Sequence, residues 1–224
     1  MEWYWFLVIV VLGVGVWLFM SCVFYKSFFK RFYDIFLSFI SIVVFSPLIL
    51  FLVIFGSINM KGNPFFFQER TGKDGKVFKL IKFRSMTCER DPLGNLLPDG
   101  KRMTKYGLFI RKTSLDELPE LLNIFVGHMS VVGPRPLLVK YLSRYNNEQK
   151  HRLDVKPGLT GYAQVNGRNL ISWEEKFKLD LFYIQHCTFF GDIIIIIKTF
   201  FVVIKKSGVN AQNDSTMEEF EGEK

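Results

Sequence analysis

The chain has 224 residues, of which 49% are hydrophobic and 25 are phenylalanine, so it is long enough for one ordinary domain plus membrane elements and too apolar for a typical freely soluble globule. The formal net charge is +8, but the last eleven residues hold five acids and one lysine; the body before them carries 28 basic against 16 acidic residues, an excess suited to anionic headgroups, phosphorylated substrates or nucleic acid. Cys22, Cys88 and Cys187 form no CxxC pair and His128, His151 and His186 lack metal-ligand spacing, which argues against a disulfide framework and a histidine-based metal site.

Trp3 to Tyr25 is a run of 23 uncharged residues, enough to cross a hydrocarbon core of about 30 Å. Trp3, Tyr4 and Trp5 mark one interface, and Lys26, Lys30 and Arg31 follow the other end, which predicts an N-terminus facing outward. A cleaved signal peptide fits poorly, because no basic segment precedes the run. Ile35 to Phe55 is a second run of 21 uncharged residues, interrupted by Ser46-Pro47. Proline removes an N–H and clashes with the preceding turn, so two arms of roughly 15 Å each are expected. Basic residues flank this run on both sides, Lys30 and Arg31 before it and Lys61, Arg70 and Lys73 after it. A re-entrant helix-break-helix that returns to the cytoplasm satisfies both flanks, and an ordinary Pro-kinked span is the alternative.

Residues 60 to 188 read as a compact cytoplasmic portion. Residues 64–68 and 77–84 predict a β-hairpin turning through Gly72-Lys73-Asp74-Gly75. Residues 89–105 are polar and predict a loop. Leu115 to Phe125 predicts a short helix, and Leu137 to Arg152 a second. Lys156 to Gly161 reads as a turn, and Trp173 to Gln185 as an amphipathic helix. The apolar stretch Phe189 to Ile204 is short for a span; a surface helix against the membrane is favoured over a buried strand. The plan is thus a transmembrane helix (1–25), a re-entrant helix (26–58), a cytoplasmic α+β domain with an interfacial helix (59–206) and a mobile acidic tail (207–224).

Chemistry concentrates in Arg111-Lys112-Thr113-Ser114-Leu115-Asp116-Glu117-Leu118-Pro119. Adjacent carboxylates beside cations suit a metal-assisted attack on phosphorus, one acid holding a divalent cation and the other acting as nucleophile or base. The same segment fits a plain reading, because Ser114-x-x-Glu117 matches a capping box and Asp116 would complement a helix dipole. Lys82, Arg111 and Arg135 could equally form a solvated basic face. Arg135 is distinguished by its place in Gly133-Pro134-Arg135-Pro136, where two prolines order a long cation as a phosphate ligand needs.

Taken together these residues resemble the small bacterial monotopic phosphoglycosyl transferases, the initiating sugar transferases of surface-glycan and N-glycan assembly. The resemblance covers about residues 26 to 212 and rests on Lys30-Arg31-x-x-Asp34, Ser46-Pro47, Lys82-Phe83, Thr113 to Pro119, Val132-Gly133-Pro134-Arg135-Pro136, Lys156 to Gly161 and Ala163 to Asn169. Within the family it is most similar to the transferases acting on UDP-bacillosamine-type acetamido sugars. It implies transfer of a phosphosugar from a UDP-sugar to a polyprenyl phosphate such as undecaprenyl phosphate, at the cytoplasmic face of the bacterial inner membrane. It further implies that Asp116 is the nucleophile of a covalent aspartyl intermediate, that Glu117 binds Mg²⁺, and that Lys82, Arg111 and Arg135 hold phosphates. Ser46-Pro47 would shape the re-entrant helix. The sequence departs from the family pattern at His128, where an acid is frequent, and at Tyr162, where Trp is frequent. The competing reading is an inactive membrane-bound scaffold that recruits other glycan-assembly enzymes. Scattered cations and the lack of a recognition module speak against nucleic acid.

Overall fold

The computed structural model describes residues 2–167, 171–205 and 219–222, without the side chains of residues 2, 18, 21, 22 and 27. Helix α1 (Glu2–Val23) leads through a π-helical turn (Tyr25–Phe29) into α2 (Lys30–Met60). An antiparallel hairpin, β1 (Phe65–Thr71) and β2 (Val77–Phe83), is followed by the short helices α3 (Asp99–Arg102) and α4 (Lys105–Lys112). A 3-10 turn (Leu115–Glu117) precedes α5 (Glu120–Val126). Strand β3 (Ser130–Val132) pairs in parallel with β4 (Gly158–Thr160), and α6 (Tyr162–Asn166), α7 (Trp173–Gln185) and α8 (Phe189–Ile204) follow.

The two arms expected around Ser46-Pro47 are joined in one continuous run of helical residues: α2 spans 31 residues with Pro47 inside it. Pro47 cannot supply the N–H that would bond the carbonyl of Val43, and the Ser46 hydroxyl donates to that same carbonyl at 2.7 Å. A side chain thus satisfies the oxygen freed by the proline, as apolar surroundings demand. Among the described residues α2 alone is long and apolar enough, by length and composition, to cross a membrane; in α1 the qualifying apolar stretch is the shorter Trp3–Trp17.

Helix α2 lies along the rest of the chain over much of its length. Near its start, Arg31 donates to the carbonyls of Ile124 and Phe125 at 2.7 and 2.8 Å, capping α5. Buried Asp34 accepts from the Ser130 hydroxyl and the Val131 N–H at 2.9 and 2.8 Å. Near its end, Leu52 and Met60 pack with Phe83, Tyr106 and Ile110, and the Tyr106 hydroxyl donates to the Leu52 carbonyl at 3.3 Å. Its outer face leaves Phe36, Phe39, Val43, Val44, Phe51, Ile54 and Ile58 exposed.

The hairpin matches the expectation, with Phe65 opposite Phe83 and Thr71 opposite Val77. Asp74 and Gly75 take positive φ in its turn, where glycine suits the left-handed region. The stretch Phe189 to Ile204 is a helix, as favoured, and it is docked through its one acid. Asp192 pairs with Lys30 at 2.6 Å and accepts from the hydroxyls of Tyr25 and Tyr183 at 2.6 and 2.8 Å. That network fastens α8 to the junction of α1 and α2.

Other expectations fail for local reasons. The helix foreseen from Leu115 begins only at Glu120, because Pro119 sits at its N-cap, and Ser114 adopts φ 56° and makes no capping bond. The capping box is therefore absent. Leu137 to Arg152 is two 3-10 segments, Val139–Arg144 and Gln149–Leu153, with reciprocal bonds between Asn146 and Gln149 starting the second. The foreseen loop 89–105 contains α3 and two isolated bridges, and α4, capped by Thr104, follows it. The foreseen turn at Lys156 to Gly161 holds β4. Residues 219–222, expected in a mobile tail, are seated on the domain; 206–218, Arg168 and Asn169 lie outside the described residues.

Candidate active site

The site is assembled from β2, the 3-10 turn, the first turn of α5 and the loop after β3. Strand parity places Lys82 on the same face of β2 as the buried Phe78 and Leu80. Its ammonium therefore enters the domain and meets Glu117 and Glu120, each at 2.9 Å. Glu117 Oε1 also accepts from the Arg135 guanidinium at 2.9 Å. Asp116 shares the turn with Glu117. The turn packs between α4 and β2, with Leu115 and Leu118 against Phe83, Tyr106 and Ile110.

The loop carrying Arg135 is held by backbone. Gly133 N–H donates to the Thr160 carbonyl at 2.8 Å and Gly158 N–H to the Pro134 carbonyl at 2.9 Å. A Cβ on Gly158 would lie 2.1 Å from the Gly133 nitrogen, so the two segments can approach only without side chains. Buried Arg152 adds a bond from its guanidinium to the Arg135 carbonyl at 2.8 Å. Arg135 itself remains 48% exposed at its side chain, which leaves it free to meet a ligand.

Charge is concentrated here out of balance with burial. Burial and the neighbouring Glu117 charge raise the Asp116 carboxyl to about 6. Glu120, 3% exposed, is raised to about 7 by the same two causes. Burial also opposes ionisation of Glu117, but Arg135 and Lys82 overcome it and hold that acid well below the usual carboxylate range. Glu117 in turn raises Arg135. One acid is thus locked as an anion while its neighbours titrate close to neutrality, a division of roles typical of reactive sites.

Five of the sequence-derived residues fall in this region. Asp116, Glu117, Lys82 and Arg135 converge, and Arg111 borders them. Its Nε donates to the Ser85 hydroxyl at 2.8 Å, and it helps to lower Asp116 electrostatically. Ser46 and Pro47 lie in α2, outside the cluster. Four residues were missed. Glu120 stands three positions after Glu117, where one more helical turn returns a side chain to the same side. Arg70 lines a small polar cavity with Lys82, Glu120 and Arg135, and its buried Nε has no hydrogen-bond partner. Ser85 and Arg152 gave no signal at all in the sequence, because only the fold brings them near. Of the two departures, His128 lies against the Phe78 ring at 5.8 Å and Tyr162 against Phe182 at 5.3 Å.

This arrangement can grip a chain of phosphates while offering an oxygen nucleophile. Glu117 is the residue that could hold a divalent cation here. Glu117 commits Oε1 to Lys82 and Arg135, and among the described residues no group of three or more acids, histidines or cysteines could hold a metal unaided. Mg²⁺ is typically bound by one or two carboxylates together with substrate phosphates, which is what Glu117 beside Asp116 can provide.

Comparison with known proteins agrees with the geometry. A family model described as bacterial sugar transferase matches residues 25–206. The sugar transferase EpsL of Bacillus subtilis is 48% identical over 193 residues, 86% of this chain and 96% of that protein. The undecaprenyl-phosphate galactose phosphotransferase of Salmonella typhimurium is 37% identical over 82% of this chain and 42% of its own length. The UDP-glucose:undecaprenyl-phosphate glucose-1-phosphate transferase of Klebsiella pneumoniae is 40% identical over 77% and 39%. The chain spans nearly all of EpsL and about two fifths of the two longer enzymes.

Proposed function

Because the chain belongs to the bacterial sugar transferase family and is a phosphoglycosyl transferase, we propose that it passes a sugar 1-phosphate from a UDP-sugar to undecaprenyl phosphate through a covalent intermediate on Asp116. The observation that carries this reading is the grip of Lys82 and Arg135 on Glu117, beside Asp116, for which the described residues give no ion pair. In the first displacement an Asp116 oxygen attacks the phosphorus bearing the sugar. The new O–P bond forms as the bond to the UMP oxygen breaks, and UMP leaves with that electron pair. In the second, a phosphate oxygen of undecaprenyl phosphate attacks the same phosphorus. The Asp116 O–P bond breaks, the carboxylate is restored and undecaprenyl diphosphosugar departs.

Each chain residue has a defined task. Above pH about 6, Asp116 is mostly ionised and needs no base to activate it. Arg135, Lys82 and Arg111 offset the charge of the diphosphate as its bridging bond breaks. Glu117 keeps Lys82 and Arg135 aimed at one point. Bound at Glu117, Mg²⁺ would supply further positive charge to the phosphate oxygens.

The same proposal places α1 across the inner membrane and the catalytic domain at its cytoplasmic face, with α2 entering one leaflet only. What supports this topology is that both ends of α2 pack on one domain, through Arg31 and Asp34 at one end and Leu52 and Met60 at the other. Tyr106, which bonds α2, also feels the Asp116 charge, so the nucleophile lies close to the element that would meet the lipid.

The test is UMP release with undecaprenyl phosphate and a panel of UDP-sugars. The panel spans N-acetylated sugars, which the resemblance implies, and UDP-galactose and UDP-glucose, which the relatives' names carry. Asp116→Asn is expected to abolish turnover while keeping the fold, and rapid quenching of the unaltered protein is expected to leave a phosphosugar on Asp116. Normal turnover by Asp116→Asn would overturn the assignment.

A further inference from the structure

Phe220 lies sixteen positions beyond the end of α8 and is 5% exposed. Its ring sits among Phe177, Trp173, Tyr141 and Tyr145, with centroids at 5.0, 5.4, 5.8 and 6.1 Å. Glu219 pairs with Lys140 at 2.6 Å and Arg144 at 2.9 Å, and Arg144 also donates to the Phe220 carbonyl. An apolar anchor fills a pocket and an exposed ion pair orients it, the division of labour expected of a docked peptide.

The pocket is continuous with the active site. Two of its rings, Tyr145 and Phe177, flank the Arg152 guanidinium at 5.7 and 5.6 Å. Arg152 is itself buried, and it donates to the Tyr145 hydroxyl at 3.1 Å and to Asp180 at 3.0 Å. It also donates to the Arg135 carbonyl, and Arg135 holds Glu117. Four successive contacts therefore lead from Phe220 to the carboxylate dyad, through groups that have little room to adjust independently.

We propose that Glu219–Phe220 forms a clasp that holds Arg152 in place and through it sets Arg135 toward the phosphates of the donor. Phe220 and Arg152 are thus positioning residues, and this inference rests on the reading of Arg135 as a phosphate ligand. The clasp binds through one aromatic ring and one carboxylate, so it is separable from the elements that build the domain. Without Phe220 the rings of Tyr145 and Phe177 lose a packing partner and the Arg152 guanidinium gains room to shift. Arg152 would then be oriented chiefly by Asp180, and the Arg135 loop would rely more on the backbone bonds of Gly133 and Gly158.

The experiment uses the full chain in lipid nanodiscs and the UDP-sugar turned over fastest in the donor panel. Phe220→Ala and a deletion of 219–224 are expected to raise the donor KM about fivefold or more with kcat within about twofold, a coupling of ordinary size. Phe220→Leu, which keeps an apolar anchor, is expected to restore most of the loss. Unchanged KM in both Phe220→Ala and the deletion would overturn the proposal. So would an equal fall in kcat and kcat/KM accompanied by a lower melting temperature, which is the signature of a merely structural role. Failure of the unaltered chain to release UMP from any donor, or normal donor KM in Arg135→Lys, would instead strike the reading on which the clasp depends.

Discussion

Lys82 carries the electrostatics of the site. It is 16% exposed and neutralises Glu117 and Glu120 together, so its removal leaves Glu117 with Arg135 alone and the buried Glu120 without its cation. Lys82→Met is expected to cost about 3 kcal/mol or more in stability, as breaking buried pairs does, and to reduce kcat/KM at least about a hundredfold. Adding Glu120→Gln should recover part of the stability, because one buried charge is gone, and none of the activity, because the phosphate still lacks its ammonium. Thermal melts and UMP release on the single and double variants check this. Recovery of both together would mean that Lys82 serves only to balance charge. In the sequence Lys82 reads equally as part of a solvated basic face; its register with the buried Phe78 and Leu80 is what turns it inward.

At the scale of elements, α2 shows why composition alone misleads. Ser46-Pro47 suggested a break, and the serine hydroxyl repairs what the proline removes. The attachment of α2 to the domain depends on Asp34, which satisfies both Ser130 and the backbone of Val131. Asp34→Ala leaves two buried donors without partners, a cost of about 2–6 kcal/mol if each carries an ordinary desolvation penalty. The expected outcome is a chain that stays in the membrane but shows faster limited proteolysis between β3 and α4. Unchanged proteolysis would show that the packing of Leu52 and Met60 suffices to hold α2. The turn at Leu115–Glu117 teaches a related lesson. Its helix-like sequence yields to Pro119, and that displacement frees Glu117 from capping so that it can meet Lys82 and Arg135.

For the whole molecule, the decisive question is on which side α2 emerges. The proposed topology predicts that Asn63→Cys, in a chain whose native cysteines are replaced, reacts with a membrane-impermeant thiol reagent only when the cytoplasmic face is exposed. Labelling from outside intact cells would require α2 to cross and would separate Arg31 from the carbonyls it caps. The exposed apolar face of α2 and that of α8, with Phe190, Ile194, Phe200 and Phe201, are the surfaces that lipid would cover.

Periodicity announced the two long apolar helices, the hairpin, α7 and α8, and charge announced the Asp116-Glu117 pair, because these signals are carried by side chains near in sequence. Lys82 was assigned through the family resemblance, and Arg135 through its two prolines and that resemblance. The parallel pairing of β3 with β4, the Asp192 network and the line from Phe220 to Arg135 were invisible in the sequence. Each joins residues tens of positions apart, and the free energy that selects them comes from burial, which exists only once the chain has closed on itself. The role of the acidic residues at 219–222 reversed for the same reason. Among like charges in the sequence Phe220 reads as part of a solvated tail, whereas beside four aromatic rings it has a place to leave water.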